Sequence, residues 1–468
     1  MGSRRSAEET ESTERTTRVC APPRTSRLVL VYPRELAATH ALGAADREIG
    51  RSPEPGQIGA THKTVSRRHA ALRWDEAVGR HYVTDLGSRN GTWLDGRPVL
   101  AMPCYLEDGA VLRIGDVLAV YERREGAADD APEVSREAVP GVSLAVRELR
   151  RAIARAGPDT SPALILGETG VGKERVAAEL HRLSGRRGPL VAVNCATLSP
   201  QLVESQLFGH TRGAFTGASQ EHVGLFRTAT GGTLFLDELG ELPVDLQPKL
   251  LRAVELGEVV AVGSTQRHTV DVRLIAATNR SLVDDVERGR FRRDLYARMA
   301  LWEVPAPPLR ARRADLVAWI DRLHQAWCDK RGRAHAPLEF QAEAVEALLL
   351  QRWPDNLRGL QRFVHACGAA GGDAPRTLAE LAPWLRDATE APTPTPTSPP
   401  AAATAPTPAR REARPRPTRE ALLAALTSHG WSVRATARHY EVERKQITRW
   451  IGIYGLVRPD DVVDDEPK

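Results

Sequence analysis

The sequence predicts a multidomain chain: a β-sandwich, then an α/β unit with a phosphate-binding loop, then a small α-helical unit. Three observations carry this reading. Residues 25–122 are short runs rich in Val, Leu and Tyr (LVLVYP, HAALRW, HYVTDL, VLAVYER) broken by Gly, Asp and Asn turns, a spacing that favours an all-β sandwich. The middle of the chain alternates apolar strand candidates (ALILGE, LVAVNC, GTLFLDE, VRLIAATN) with helical stretches, the pattern of a mostly parallel sheet, and it turns helical from residue 307. After a proline-dense stretch, the last block keeps its apolar residues at helical spacing.

Length and composition agree. At 468 residues, with 41% hydrophobic, the chain has room for about three domains, each with its own core. A net charge of +5 and a pI near 9.0 admit nucleic acid as a partner without requiring it. The cysteines (Cys20, Cys104, Cys195, Cys328, Cys367) are five in number and far apart with no CxxC pair, which argues against a disulfide framework or a zinc site and for a reducing cytoplasm. No run of about 18 apolar residues is present, so a soluble cytoplasmic protein is expected. The expected layout is a disordered tail over 1–24, the sandwich over 25–122 and a linker over 123–138. The α/β unit follows over 139–306 with a helical portion over 307–386. A Pro/Ala/Thr-rich spacer covers 387–417, the C-terminal helical unit 418–457 and an acidic tail 458–468.

The strand ALIL runs into Gly167, Glu168, Thr169, Gly170, Val171, Gly172, Lys173 and Glu174, the strand, glycine-rich loop and helix that surround a phosphate with backbone N–H groups while a lysine reaches the β and γ phosphates. Glu174 stands where the general motif has a magnesium-binding Ser or Thr, so Mg²⁺ needs other ligands. GGTLFLDELGE supplies them: an apolar strand ends in Asp237, which can hold Mg²⁺, and Glu238, which can polarise an attacking water. VRLIAATNR ends in Thr278 and Asn279, placed to sense a γ-phosphate.

The stretches GETGVGKE, VAVNCATL, ESQLFGHTRGAFTGA, GGTLFLDELGELP, VDVRLIAATNR, GRFRRDLYARM, PPLRARRAD and WPDNLRGL, in this order, resemble the AAA+ domain of bacterial sigma-54-dependent activators. The resemblance implies an ATPase with a helical lid that works as a hexamer. It implies that Lys173 binds phosphate, Asp237 holds magnesium, Glu238 is the catalytic base and Asn194 restrains it. It also implies that Arg292 and Arg298 are arginine fingers, with Arg293 a competing candidate, and that Arg358 is the lid's sensor. Gly213, Ala214, Phe215, Thr216, Gly217 and Ala218 (GAFTGA) become the loop that touches sigma-54, with Phe215 and Thr216 at its tip. Asp355 and Ala297 depart from the usual pattern without removing a charged role.

REIGRSP, TVSRRHAAL and DLGSRNGTWLDG on the β-rich segment resemble an FHA domain, which binds phosphothreonine peptides. Arg51 can fork onto a phosphate, Ser66 can donate a hydroxyl, Asn90 can hold the peptide backbone and Arg67 can add charge. His69 and Gly91 read as a loop brace and a turn residue. The ligand is a phosphothreonine-bearing protein or Ser/Thr kinase, or the chain's own Thr10, Thr13, Thr16 and Thr17. The last block (TREALLAALTSHGWSVRATARHYEVERKQITRWIGIYGL) reads as a helix-turn-helix and resembles the Fis-type domain of the same activators, presenting Arg444, Lys445, Gln446, Thr448 and Arg449 to upstream enhancer DNA. Together these imply a phosphothreonine-responsive activator that spends ATP to open promoters held closed by sigma-54 RNA polymerase. The alternative is a DNA-binding regulator whose AAA+ domain serves only for oligomerisation.

Overall fold

The computed structural model of the chain describes residues 25–100, 102–124, 132–196, 200–372, 374–385, 417–429 and 431–440, with 447–448, 450–451 and 454. They fall in two compact units, within Met1–Ala391 and Pro392–Lys468.

In the first unit, two sheets stack around Leu28, Leu30, Ile49, Leu72, Val83, Leu112, Ile114 and Ala119, all buried. One sheet runs Ala38–Leu42, Thr25–Tyr32, Val117–Arg124, Val111–Ile114, Thr92–Leu94, Arg97–Pro98; the other runs Ile58–Gly59, Arg47–Gly50, Ala70–Asp75, Arg80–Asp85, Cys104–Tyr105. The turn-rich spacing therefore closes into the expected sandwich.

The α/β part has five parallel strands in the order Leu190–Asn194, Thr233–Asp237, Arg273–Thr278, Ala163–Leu166, Trp302–Pro305. Its strands Ala163–Leu166 and Arg273–Thr278 are largely buried and, apart from Arg273 and Thr278 at the ends of the second, apolar, because helices cover both faces. Arg273, 1% exposed, donates to the carbonyls of Ala156, Gly157 and Leu180, and so neutralises the C-terminal ends of helices Leu144–Ala156 and Lys173–Leu183. Four strand ends, Leu166, Asn194, Asp237 and Thr278, come out on one edge of the sheet, where ligands bind in open α/β folds.

The helical portion that follows does not stand apart from the sandwich. Strands Thr25–Tyr32, Val111–Ile114 and Val117–Arg124 turn Val29, Val31, Val111, Leu118 and Val120 away from the sandwich interior. These join Leu316, Ile320, Leu348, Leu360 and Phe363 of helices Leu316–Asp329, Ala342–Leu350 and Asn356–Ala370 in one core. Polar contacts fix the register. Arg113 reaches Glu346 at 2.7 Å with both side chains under 10% exposed, stacks 3.8 Å over the Trp93 ring, and meets Glu343 at 3.2 Å. The Gly96 amide donates to the other Glu346 oxygen, Arg34 pairs with Asp321 at 2.7 Å, and Tyr32 donates to the Phe340 carbonyl.

The segment 123–138, read from its polarity as a linker, is in part built into this unit. Arg123 and Arg124 complete a strand, and Val134 is buried in the cluster that includes helix Leu144–Ala156, as is Val139 just past the segment. That helix starts at Ser143, whose hydroxyl accepts from the Val146 amide while the Asp315 carboxylate accepts from the hydroxyl and both preceding amides. Glu122, held by Arg27 at 2.8 Å, takes the Leu144 amide. Burial pushes the Glu122 carboxyl above its ordinary value despite Arg27.

The second unit packs helices Arg419–Ser428 and Val433–His439 around Leu422, Leu426, Ala437, Ile447 and Trp450. Thr418 caps the first helix, and the Tyr454 hydroxyl donates to the Pro417 carbonyl. Arg444, Lys445, Gln446 and Arg449 lie outside the described residues; Thr448 is helical and exposed. Among the described residues no helix is long and apolar enough to cross a membrane.

Breaking the Arg113–Glu346 pair from one side leaves a buried charge without its partner, a loss of about 3 kcal/mol. Arg113→Ala is expected to lower the first unfolding transition of the full chain in urea, and a shift equivalent to under about 1 kcal/mol would show that the pair does not hold the two parts together.

Candidate functional site

Where the strand Ala163–Leu166 ends, the chain turns through Gly170 (φ 80°) and Gly172 (φ 101°) into helix Lys173–Leu183. Lys173 is 6% exposed; its amino group donates to the Gly167 carbonyl (3.2 Å) and to Glu238 Oε1 (3.0 Å), and lies 3.9 Å from Asp237 Oδ1. Glu238 follows the strand with φ at 52°, a left-handed value that a residue with a Cβ adopts at a cost. Its amide donates to Asp237 Oδ1 (3.0 Å), and its second oxygen accepts from the Asn279 amide (3.4 Å). Burial, reinforced by the Glu238 carboxylate, holds the Asp237 carboxyl above its ordinary value against the pull of Lys173. Asn194 lies beside Asp237 in register on the next strand and uses its Oδ1 to accept the Ala196 amide (2.8 Å).

These groups line a cleft of about 370 Å³ with Thr169, Glu174, Arg358 and the apolar surfaces of Trp319, Leu323 and Leu357. One end is therefore charged and the other apolar, the shape that suits a nucleotide's phosphates and base. Thr278 is buried, its carbonyl accepting the Gly167 amide. With Asn279 it lines a neighbouring hollow, and only Asn279 reaches toward the cleft, donating to the Thr169 hydroxyl (3.2 Å).

Asn356, which the sequence reading passed over inside WPDNLRGL, ties the lid to the phosphate loop. It is fully buried with φ at 50°, its Nδ2 donating to Glu168 Oε2 (3.1 Å) and the Thr169 carbonyl (3.0 Å), and its Oδ1 accepting the Leu309 amide (2.7 Å). The next amide, Leu357, donates to the Gly170 carbonyl, and a Cβ at Gly170 would lie 2.2 Å from the Asp355 carbonyl. Glu168 is also forked by Arg310 at 2.8 and 2.5 Å. The only signal in the sequence was the motif itself, because neither a left-handed backbone nor a contact 187 residues away is visible in composition.

GAFTGA stands clear of the sheet. His210 pairs with His222, and the Thr211 amide donates to the Val262 carbonyl, so two neighbouring segments form the base of the loop. Gly213 (φ 79°) and Gly217 (φ 103°) close the tip through the Gly213 amide to the Ala218 carbonyl (2.8 Å), while Phe215 is 36% exposed with its ring edge-on to His210. Arg292 and Arg298 are not brought to the cleft of their own chain: Arg292 pairs with Asp294 (2.6 Å) and Arg298 with Glu255 (2.7 Å), both on exposed surface.

On the sandwich, Arg51, Ser66, Arg67 and Asn90 meet at the loops of one end. The Arg51 amide donates to the Ser66 carbonyl (2.9 Å), the Ser66 hydroxyl accepts the Arg89 amide (3.1 Å), and Asn90 Nδ2 donates to the Thr64 carbonyl (2.7 Å). Beneath them His69 is fully buried; its Nδ1 accepts the Ser66 amide, which leaves the proton on Nε2 to donate to the Gly91 carbonyl (2.9 Å). Burial lowers the His69 pKa, which keeps this brace neutral. Asp85 gathers Thr92, Ser88 and Gly87 donors, which overcome its burial and hold its carboxyl below the usual value.

Comparison with known proteins agrees with this geometry. Residues 139–305 match the sigma-54 interaction domain and residues 47–115 the FHA domain. The nitric oxide reductase transcription regulator NorR1 of Cupriavidus necator is 45% identical over 254 residues, covering 53% of this chain and 48% of that one. The sigma54-dependent transcriptional activator SfnR of Pseudomonas putida is 45% identical over 217 residues, covering 46% and 59%. The crystal structure of NtrX from Brucella abortus in complex with ATP matches at 30% identity with a TM-score of 0.48, covering 68% of this chain and 69% of that one. The chain thus carries a sigma-54 interaction domain of the AAA+ class and an FHA domain, and its homologues are sigma-54-dependent transcriptional activators. It spans about half the length of the first of these curated relatives.

Asn356→Ala removes three hydrogen bonds from a buried knot, each worth about 1 kcal/mol. Amide hydrogen exchange at Leu309 and Leu357 is expected to quicken by at least about tenfold, while amides of the sandwich core keep their protection. Unchanged exchange at Leu357 would show that Asn356 does not hold the lid to the loop.

Proposed function

We propose that this chain is a sigma-54-dependent transcriptional activator that hydrolyses ATP on an AAA+ ring to remodel the closed sigma-54 RNA polymerase promoter complex.

 The FHA face would read phosphothreonine on a partner or from a Ser/Thr kinase pathway, and the C-terminal helices would hold upstream DNA. One observation carries the reading. The same α/β unit sets a buried Lys173 against Asp237 and Glu238, and also leaves a phenyl ring exposed on a glycine-hinged loop that phosphate chemistry does not use.

The residues present fit ATP with Mg²⁺. Two carboxylates share one buried ammonium, and burial already disfavours the Asp237 charge, so the site gains from a further cation. No cluster of three or more His, Cys, Asp or Glu side chains suited to a metal occurs among the described residues. Asp237 therefore would hold the ion together with phosphate oxygens, the usual arrangement for magnesium. Mg²⁺ bound there would neutralise charge on the phosphates. Lys173 and the amides of Gly170 to Lys173 would bind the phosphates, and Trp319, Leu323 and Leu357 would cover the base. Glu238 would exchange its bond to Lys173 for a bond to water and accept its proton, with the Asn279 amide fixing its other oxygen. Arg292 and Arg298, exposed and away from their own cleft, would act across a subunit boundary in a hexamer. Phe215 and Thr216 would press on sigma-54.

Glu238→Gln is expected to reduce ATP turnover by about 100-fold or more while nucleotide still binds, as loss of a general base does. Phe215→Ala is expected to keep ATP turnover and lose open-complex formation on a sigma-54 promoter. Promoter opening by the Phe215 variant at the wild-type level would overturn the remodelling mechanism and favour an AAA+ domain that only assembles the protein.

A further inference from the structure

The cations of the sandwich divide into two groups. One group is ion-paired: Arg68 with Glu48, Arg73 with Asp46, Arg124 with Asp108, Arg113 with Glu346 and Arg27 with Glu122. Of those without an ion pair, Arg47, Arg97 and Arg123 lie apart from one another, and the rest gather at the Ser66 loops. Arg51, Lys63, Arg67 and Arg89 are all exposed, and none has an ion pair or a side-chain hydrogen bond among the described residues. Backbone bonds gather these four. Arg51 is joined to Ser66 and Arg89 to the Ser66 hydroxyl, while Lys63 adjoins Thr64, whose carbonyl accepts from Asn90. A Cβ on Gly50 would lie 2.0 Å from the Arg67 carbonyl, so the strand that delivers Arg51 passes directly beneath Arg67. Glu54 is the sole acid in residues 51–69; Asp85 spends its oxygens on Thr92, Ser88 and the Gly87 amide, and Asp116 adjoins Thr64 through its amide, so none of these acids is bonded to the four cations. A phosphothreonine brings about two negative charges. One phosphate can engage two of the four unpaired cations, Arg51 and Arg67, and acidic neighbours of the phosphothreonine would meet Lys63 and Arg89.

Only one threonine-bearing stretch near the sandwich has that composition. Residues 8–14 read Glu8, Glu9, Thr10, Glu11, Ser12, Thr13, Glu14, whereas the threonines of the spacer after residue 392 stand among prolines and alanines. From Thr13 to Thr25 an extended chain spans about 40 Å, against about 27 Å for the strand Thr25–Tyr32 that it precedes, so the stretch has the length to pass from one end of the sandwich to the other. We propose that the FHA face selects phosphothreonine flanked by acidic residues, and that its ligand is the chain's own residues 8–14 phosphorylated at Thr10 or Thr13. The proposal rests on the phosphothreonine reading above and adds both the charge preference and the occupant.

The test uses the unphosphorylated full chain and synthetic peptides of residues 5–18, phosphorylated at Thr10 or at Thr13, titrated by fluorescence anisotropy. Each is compared with its counterpart in which Glu8, Glu9, Glu11 and Glu14 are Gln. Binding of at least one acidic phosphopeptide about tenfold tighter than its Gln counterpart is expected, the sum of a few exposed ion pairs, with a difference that shrinks as salt rises. Lys63→Ala with Arg89→Ala is expected to remove most of that difference and to leave phosphopeptide binding in place. Equal affinity for the Glu and Gln peptides overturns the proposal while the phosphothreonine reading stands. So does displacement of the peptide by duplex DNA that binds the same face. If no phosphopeptide binds, or if Arg51→Ala changes nothing, the phosphothreonine reading fails with it.

Discussion

The sandwich and the lid share one apolar core, and most of the molecule's geometry follows from that. Val29, Val31, Val111, Leu118 and Val120 would form an exposed oily face if the sandwich stood alone, since its own interior is already filled by the opposite side chains of the same strands. Helices Leu316–Asp329, Ala342–Leu350 and Asn356–Ala370 cover that face, and Arg113, Arg34 and Tyr32 fix where they sit. Apolar contact supplies the attraction, and the buried polar contacts select one register. The lid is thereby positioned from its far side by the sandwich, and from its near side by Asn356 and Leu357 on the phosphate loop.

The cleft is balanced in charge but not at rest in conformation. Glu238 holds a left-handed backbone, Asn356 another, and Asp237 is kept from easy ionisation by its surroundings. Such strain is retained where the neighbouring structure over-determines it. Lys173 and the Asn279 amide do this for Glu238, and Glu168, Thr169 and Leu309 do it for Asn356. Glu168, Thr169 and Lys173 belong to one loop and the helix it opens, so a shift in the lid at Asn356 reaches the carboxylates through that loop.

Periodicity and turn residues made the sandwich and the parallel sheet legible, because an alternating or continuous apolar run states which faces are buried. The phosphate loop and the Asp237 and Glu238 pair stood out for a different reason: binding phosphate and magnesium needs particular residue types in a fixed local order, whereas GAFTGA drew notice as a phenyl ring between glycines and took its proposed role from the resemblance. What stayed hidden depends on distant contact. The polar stretch 123–138 looked like a linker because its one anchoring valine, Val134, is diluted by charged neighbours. Trp319 lines the cleft from a helix whose own sequence only says that it is amphipathic. Asn356 was hidden in plain view beside Arg358, since a charged side chain advertises a role and a buried amide does not. The face of the sandwich that meets the lid has the same alternating strands as a solvent-facing sheet with a few more valines, and no local signal names its partner.

The Arg113, Trp93 and Glu346 contact bears on how this architecture can change over generations. A sensor joined by a flexible tether can be exchanged for another by recombination at the tether, and the recipient motor need not notice. Here the sandwich supplies part of the helical portion's hydrophobic interior, so an exchange would uncover those helices and strand Glu346 without a cation. The two parts are bound to drift together, substitution by compensating substitution, and a lineage that acquired this interface would have given up the freedom to trade one N-terminal domain for another.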